Sequence, residues 1–131
     1  MFSDVNAFSG FAVDDLAAAR AFYEGTLGIR VSEEGDGALL TLHLAGGDRP
    51  TLIYPKPDYE PATYTVLNFP VPDVEATVDE LTGKGIEMAR FDGFHQDAKG
   101  ISHDEGGPTI AWFRDPAGNI LAVHDQTPPP S

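Results

Sequence analysis

The chain contains an internal repeat, and this repeat restricts the possible fold more than any other feature of the sequence. The segment FAVDDLAAARAFYEGTLGI (residues 11–29) aligns with FPVPDVEATVDELTGKGI (residues 69–86) at an offset of 58 positions, which pairs Phe11 with Phe69, Asp15 with Asp73 and Gly25 with Gly83. After a one-residue gap, Gly28 and Ile29 meet Gly85 and Ile86. A long period with matching helix caps and stops indicates a duplicated structural unit.

Each copy predicts one strand, one helix and three further strands. The first copy has apolar stretches at 5–13, 29–32, 38–45 and 51–55 and a helical pattern at 15–27; the second has them at 63–71, 86–90, 109–114 and 120–124, with a helical pattern at 74–84. We therefore expect an α+β fold of two βαβββ modules in one domain, residues 1–126. Module one covers about 5–55, a connector 56–62 and module two about 63–125, before a disordered proline-rich tail at 127–131.

Charge and composition exclude several classes of function. The chain has 8 Lys and Arg against 21 Asp and Glu, a formal charge of −13, so its field repels phosphate backbones and anionic lipid, and we expect no nucleic acid or membrane partner. The absence of cysteine excludes disulfides, thiolate metal sites and cysteine nucleophiles. No signal peptide or membrane-length apolar run is present, which predicts a soluble cytoplasmic protein. No phosphate-loop or serine-hydrolase motif is present either.

Two motifs carry a resemblance to a known superfamily. The first is the repeat segment FAVDDLAAARAFYEGTLGI, and the second is WFRDPAGNIL at residues 112–121. Together they resemble the strand-helix opening and the Asp-Pro-x-Gly-Asn turn of the vicinal oxygen chelate superfamily, which includes glyoxalases, bleomycin-resistance proteins and extradiol dioxygenases. The resemblance covers nearly the whole chain apart from its tail. It implies curled mixed sheets that face each other across a shared cleft, with the helices outside.

The same resemblance implies positions for a metal, and these positions hold the wrong residues. Metal-dependent relatives take ligands from the first strand and the last strand of each module. Those places correspond here to Phe8, Val66, Ala122 and, less directly, a position near Ile53. None of these side chains offers a lone pair to a divalent ion. We therefore expect no metal and no other cofactor, and the sequence assigns no catalytic residue.

Strand alternation predicts which side chains face the cleft. In the first strand Phe11 and Val13 would meet the helix and Gly10 the cleft, while His43 would be a solvated residue outside the site. Trp112 and Arg114 share one face of their strand, either as ligand contacts or as core and surface residues. We expect Asn68 to be a buried amide, His124 to lie near the end of the cleft and Tyr54 at its rim. The candidate ligand-binding residues are Phe8, Gly10, Tyr54, Asn68, Trp112, Arg114, Ala122 and His124.

A polar, glycine-rich segment at residues 91–108 supplies two further candidates, His95 and His103. They would be ligand contacts on a loop over the cleft or ordinary surface residues. The leading hypothesis is a metal-free protein that sequesters an aromatic metabolite or antibiotic. The alternative is a metal-dependent lyase, isomerase or dioxygenase with unconventional ligands such as His95, His103, His124 and Glu105. A purely structural role with an empty cleft stays open, and a homodimer is the default assembly.

Overall fold

A computed structural model describes residues 1–45, 49–103 and 108–125, and within them the chain forms two compact units that divide between Pro61 and Ala62. The fold is α+β, and each unit is a βαβββ module, as the repeat predicts. Glu105 and the tail at 127–131, about which the sequence made predictions, lie outside the described residues. Within the described ranges, no helix is both long and apolar enough to span a membrane.

The first module is a four-stranded mixed sheet with one helix. Its strands are β1 (Ser9–Val13), β2 (Arg30–Glu34), β3 (Leu39–His43) and β4 (Thr51–Pro55), and helix α1 (Leu16–Arg20) connects β1 to β2. The order across the sheet is β1-β4-β3-β2, with β1 parallel to β4 and the other neighbours antiparallel. The first strand begins at Ser9, four residues later than the apolar pattern from residue 5 predicts.

The second module repeats this topology. Its strands are β5 (Thr65–Val71), β6 (Met88–Ala89), β7 (Ile110–Arg114) and β8 (Ile120–Asp125), and helix α2 (Val74–Gly83) connects β5 to β6. The order is β5-β8-β7-β6, again with one parallel pair, β5 and β8. Asp15 and Asp73 cap their helices in the same way, each carboxylate accepting a hydrogen bond at 3.1 Å from the backbone N–H three residues later.

The helix of the first module differs from a regular α-helix in its second half. After Arg20 the chain continues as a π-helix (Ala21–Thr26), with a bond of 2.9 Å from the Leu27 N–H to the Phe22 carbonyl. The N–H of Ile29 then bonds to the Tyr23 carbonyl, whereas in module two the N–H of Ile86 bonds to the Leu81 carbonyl. The hydrogen bond that ends the helix therefore spans six positions in module one and five in module two, so module one has one additional residue there. A π-helical turn absorbs a one-residue insertion, which explains the gap in the repeat.

Each helix covers one face of its own sheet. In module one, Phe11 lies against Tyr23 with ring centroids 6.0 Å apart, and Tyr23, Val13, Leu42 and Ile53 are fully buried. In module two, α2 buries Val78 and Leu81 on the side of the sheet that holds Phe113 and Leu121. Burial of such side chains supplies the main stabilisation of each module. The face of each sheet opposite its helix is termed the open face below.

Candidate functional site

The strand register of module two lines up a row of side chains on its open face. Ala89 pairs with Trp112, Trp112 with Ala122 and Ala122 with Asn68, so one row crosses all four strands. Directly paired residues point to the same side of a sheet. The row therefore places three predicted ligand-binding residues, Trp112, Ala122 and Asn68, on one face. The next row contains Ile110, His124 and Pro70, which puts His124 on that face as well.

Trp112 is the centre of an aromatic cluster on this open face. Phe91 meets it edge-on with ring centroids 5.5 Å apart, and Phe94 is tilted against it at 4.8 Å. The guanidinium carbon of Arg114 lies 5.3 Å from the centroid of the Phe91 ring, a cation–π distance. Trp112 is only 8% exposed, but Phe94 is 48% exposed. Of the two roles left open for Trp112 and Arg114, the structure combines parts of both: the indole is buried, and the guanidinium stacks on an aromatic ring.

Asn68 and His124 supply the polar groups of the same face. The prediction of a buried Asn68 amide is wrong, because Asn68 is exposed and can exchange its hydrogen bonds with water. His124 is half-buried, and its Nδ1 lies 2.9 Å from the Asp125 carbonyl. Because a carbonyl oxygen only accepts hydrogen bonds, Nδ1 carries the proton, which leaves Nε2 of the neutral ring as an acceptor.

Residues 91–103 form an ordered segment at the edge of this sheet. The Gln96 side chain donates to the carbonyls of Ala89 and Gly100 and accepts from the Phe91 N–H, at 2.8–2.9 Å. Ser102 forms a bridge with Ile110 of β7, on the side of β7 that β6 also pairs with. The sequence does not predict this arrangement, because its hydrogen bonds join residues that follow no helical or strand periodicity.

His103, one of the two loop candidates, is paired with a carboxylate of its own segment. Its Nε2 lies 3.0 Å from Asp97 Oδ2, while the other Asp97 oxygen accepts from the backbone N–H groups of Lys99 and Ile101. Partial desolvation opposes ionisation, but these hydrogen bonds outweigh it and lower the pKa of Asp97. His95 is exposed beside Phe94.

Ion pairs join the segment at residues 91–103 to helix α2 of the same module. Lys99 Nζ lies 2.9 Å from both Glu75 and Asp79 of α2. Hydrogen bonds to Asp79 and Glu75 raise the pKa of Lys99. The Arg90 guanidinium adds bonds to the carbonyls of Asp97 and Ala98.

The remaining predicted residues belong to module one. Gly10 lies on the open face opposite Leu52, and a Cβ atom there would come within 3.2 Å of the Leu52 carbonyl oxygen. Tyr54 is 40% exposed on the same face, opposite Ala12. The expected place of Phe8 in the first strand is wrong, because Phe8 precedes β1 and is 58% exposed. The idea that both modules' residues form one continuous surface stays a prediction.

The register specifies the metal-ligand position that the sequence placed near Ile53. Gly10 corresponds to Asn68 in the repeat, and their partners in the last strands are Leu52 and Ala122. The equivalent of Ala122 is therefore Leu52, whereas Ile53 is buried on the helix side. Phe8, Leu52, Val66 and Ala122 all lack donor atoms, so these positions do not fit a metal ion. Nowhere in the described ranges do three His, Asp or Glu side chains come together as a ligand set.

Module one has a polar cluster on its open face that the sequence did not reveal. His43 is half-buried there, with Nε2 2.7 Å from the Ser32 hydroxyl, and its place outside the ligand site stays a prediction. Thr41 pairs with Ser32 and donates at 3.4 Å to Glu34. His43, Thr41 and Glu34 line a groove of about 730 Å³. The apolar neighbours on either side of His43 indicate a strand. They do not indicate which face of that strand the helix covers.

The Asp-Pro-Ala-Gly-Asn turn between β7 and β8 has a structural role. Asp115 and Asn119 are buried, and one Asp115 oxygen accepts from the Asn119 backbone N–H at 2.8 Å and the other from its side-chain amide at 3.2 Å. Asn119 Oδ1 in turn accepts from the Ala62 N–H at 3.2 Å, at the start of the chain leading to β5. The turn thus fixes the register of β7 with β8 and holds the entry to the module.

Comparisons with known proteins agree with this architecture. The family model described as Glyoxalase/Bleomycin resistance protein/Dioxygenase superfamily matches residues 6–123. A search of curated proteins gave no significant match.

Among solved structures, TnmS3, an antibiotic binding protein from Streptomyces sp. CB03234, is similar with 19% identity and a TM-score of 0.68 over 95% of this chain and 98% of that one. A superfamily member from Sphaerobacter thermophilus has 19% identity and a TM-score of 0.70 over 93% and 98%. The fosfomycin resistance protein FosX from Mesorhizobium loti has 16% identity and a TM-score of 0.64 over 97% and 95%. The family model matches most of this chain, and the repeated βαβββ topology agrees with it. This chain therefore belongs to the Glyoxalase/Bleomycin resistance protein/Dioxygenase superfamily.

Proposed function

We propose that this protein binds a flat, weakly polar molecule, such as an aromatic metabolite or an antibiotic, and does so without a metal ion or a chemical reaction. The observation that carries this proposal is the aromatic cluster of Trp112, Phe91 and Phe94, which shares a sheet face with Asn68 and His124. Apolar walls with a few polar points are typical of small-molecule sites. The structural similarity to TnmS3, named as an antibiotic binding protein, adds support at the level of the fold.

The cluster suits a planar ligand for geometric reasons. Phe94 is half-exposed and lies directly on Trp112, so an aromatic ligand stacks on Phe94 or displaces it and contacts the indole. Asn68 offers an amide donor and acceptor, and His124 offers the Nε2 acceptor. These two polar groups orient the ligand, while the aromatic contacts provide most of the affinity.

The competing hypothesis is a metal-dependent lyase, isomerase or dioxygenase. The vacated ligand positions weigh against it, and so does the engagement of His103 with Asp97. The test is metal analysis of protein purified without a chelating tag, followed by binding assays with and without added zinc, nickel or manganese. We expect substoichiometric metal and unchanged ligand affinity. A stoichiometric ion, or activity that rises with added metal, would contradict the proposal.

The ligand site is tested with the single tryptophan of the chain as the reporter. Ligands that raise the melting temperature in a screen of aromatic metabolites and antibiotics are titrated against Trp112 fluorescence. We expect Asn68→Ala to weaken a ligand by about 1–2 kcal/mol, the cost of one lost hydrogen bond. Asn6→Ala, which removes the same side chain from an exposed site before β1, is the control. Equal affinity for Asn68→Ala and His124→Ala as for the wild type would refute this site.

We also propose that the protein is a homodimer. Four large apolar side chains before β1 are exposed, Met1, Phe2, Val5 and Phe8, and exposed apolar patches commonly mark protein interfaces. Light scattering should give the mass of a dimer for the wild type and of a monomer for Phe2→Asp/Phe8→Asp. A monomeric wild type would contradict this assembly.

A further inference from the structure

The groove of module one contains two arginines that have no partner within the described residues. The chain has 8 Lys and Arg. Arg20, Lys84 and Lys99 form ion pairs with carboxylates. Lys56 and Arg90 bond to backbone carbonyls, and Arg114 stacks on Phe91. Subtracting these six from eight leaves Arg30 and Arg49, and both line the same groove.

Two arginines that lack a partner among the residues the structure describes are unexpected in a protein with this charge. The chain carries 21 Asp and Glu, so a carboxylate partner is abundant for any surface cation. Two guanidinium groups on one groove instead concentrate positive potential against a background of −13. A planar guanidinium matches a carboxylate or phosphate in shape and in hydrogen-bond geometry. The charge of the groove therefore favours an anionic ligand.

The other polar groups of the groove narrow the class of anion. His43 pairs with Arg30 in the β2–β3 register, so its imidazole lies on the same side as the guanidinium. The Ser32 hydroxyl, 2.7 Å from His43 Nε2, orients that ring. Glu34 lines the same groove, and its negative charge disfavours a doubly charged phosphate. Among the described residues its oxygen accepts only long bonds, 3.4 Å from the Thr41 hydroxyl and 3.5 Å from the Ser32 hydroxyl, so it can accept a stronger bond from a ligand hydroxyl or ammonium group.

We propose that this groove binds a small carboxylate that carries a neighbouring hydroxyl or ammonium donor. Arg30 and Arg49 hold the carboxylate, and Glu34 accepts from the donor. The groove residues belong to module one and are different from the aromatic cluster of module two, so the carboxylate can be tested without the ligand proposed there.

The test uses nuclear magnetic resonance on the full-length protein. The chain has four histidines, and His43→Gln assigns the His43 imidazole signal by its disappearance. Lactate and L-serine are titrated in the millimolar range, with acetate and inorganic phosphate as comparators. We expect a saturable shift of the His43 signal with lactate or serine at lower concentration than with acetate, and the weakest response with phosphate.

Charge-neutral variants then locate the contacts. Arg30→Gln and Arg49→Gln should each weaken lactate or serine binding about tenfold, the effect of losing one charge-assisted hydrogen bond. Glu34→Gln should reduce the preference over acetate. Lys56→Gln removes the same charge outside the groove and should bind as the wild type does. Both arginines are exposed, so circular dichroism should show every variant folded. The proposal is overturned if no probe gives a saturable shift, if phosphate binds best, or if Lys56→Gln weakens binding as much as Arg30→Gln.

Discussion

The ring of Phe94 lies against the indole of Trp112, with 4.8 Å between the ring centroids and 55° between the ring planes. This contact joins the ordered segment at 91–103 to the open face of the second sheet. Because Trp112 is 8% exposed and Phe94 is 48% exposed, the phenylalanine shields the tryptophan from solvent.

Removing the Phe94 ring should expose Trp112. We expect Phe94→Ala to shift the fluorescence emission of the single tryptophan to longer wavelength and to increase its quenching by acrylamide. Tyr64→Ala, at a side chain that is 70% exposed before β5, serves as the control and should leave the emission unchanged. Identical spectra for Phe94→Ala and the wild type would show that Phe94 does not cover the indole.

The turn between β7 and β8 should contribute strongly to stability. Asn119→Ala removes the hydrogen bond that the Asn119 side-chain amide donates to Asp115. It also removes the hydrogen bond that Asn119 Oδ1 accepts from the Ala62 N–H. A buried donor or acceptor left without a partner costs about 1–3 kcal/mol, so we expect the free energy of unfolding in urea to fall by that amount. Asn6→Ala, at an exposed position, should change it by less than about 0.5 kcal/mol. Equal stabilities of the two variants would contradict the role assigned to the turn.

The hydrogen bonds around Asp97 should make stability depend on pH in acid. Because the folded state lowers the pKa of Asp97, its ionised form stabilises the fold at pH values above the ordinary aspartate pKa of about 4. That contribution disappears as pH falls through the lowered folded-state pKa. The melting temperature of the wild type should therefore exceed that of Asp97→Asn above about pH 4, and the difference should shrink in stronger acid. A difference that grows as pH falls would reverse the sign and refute the assignment.

The π-helix predicts where module one tolerates a deletion. Removing Thr26 aligns the two helices of the repeat without a gap and should convert the π-helical turn into an α-helical one, with Tyr23 still buried. Removing Thr82 from α2 would rotate everything after it by about 100°, because an α-helix has about 3.6 residues per turn. In urea unfolding, the free energy of unfolding should fall much less for the Thr26 deletion than for the Thr82 deletion. Comparable losses would argue against the one-residue insertion.

Much of each module could be predicted from local sequence. The cap residues Asp15 and Asp73 bond to backbone groups three residues away, and Gly28 and Gly85 end the helices with φ angles of +73° and +89°, which other residues rarely adopt. Strand alternation placed Phe11 and Val13 on the helix side correctly. These features depend on neighbours close in the chain, so the sequence contains all the information required.

The candidate site needed the tertiary structure, because its geometry depends on pairing between distant strands. Alternation tells which residues share a face of one strand, but the partner strand and its register decide that Leu52 rather than Ile53 matches Ala122. The same register brings His43 to the open face beside Arg30. The duplicated βαβββ pattern was thus determined by the sequence itself, through local periodicity and capping. The grouping of Trp112 with Asn68 was decided only by the fold, because side chains far apart in the chain meet only after the strands between them have paired.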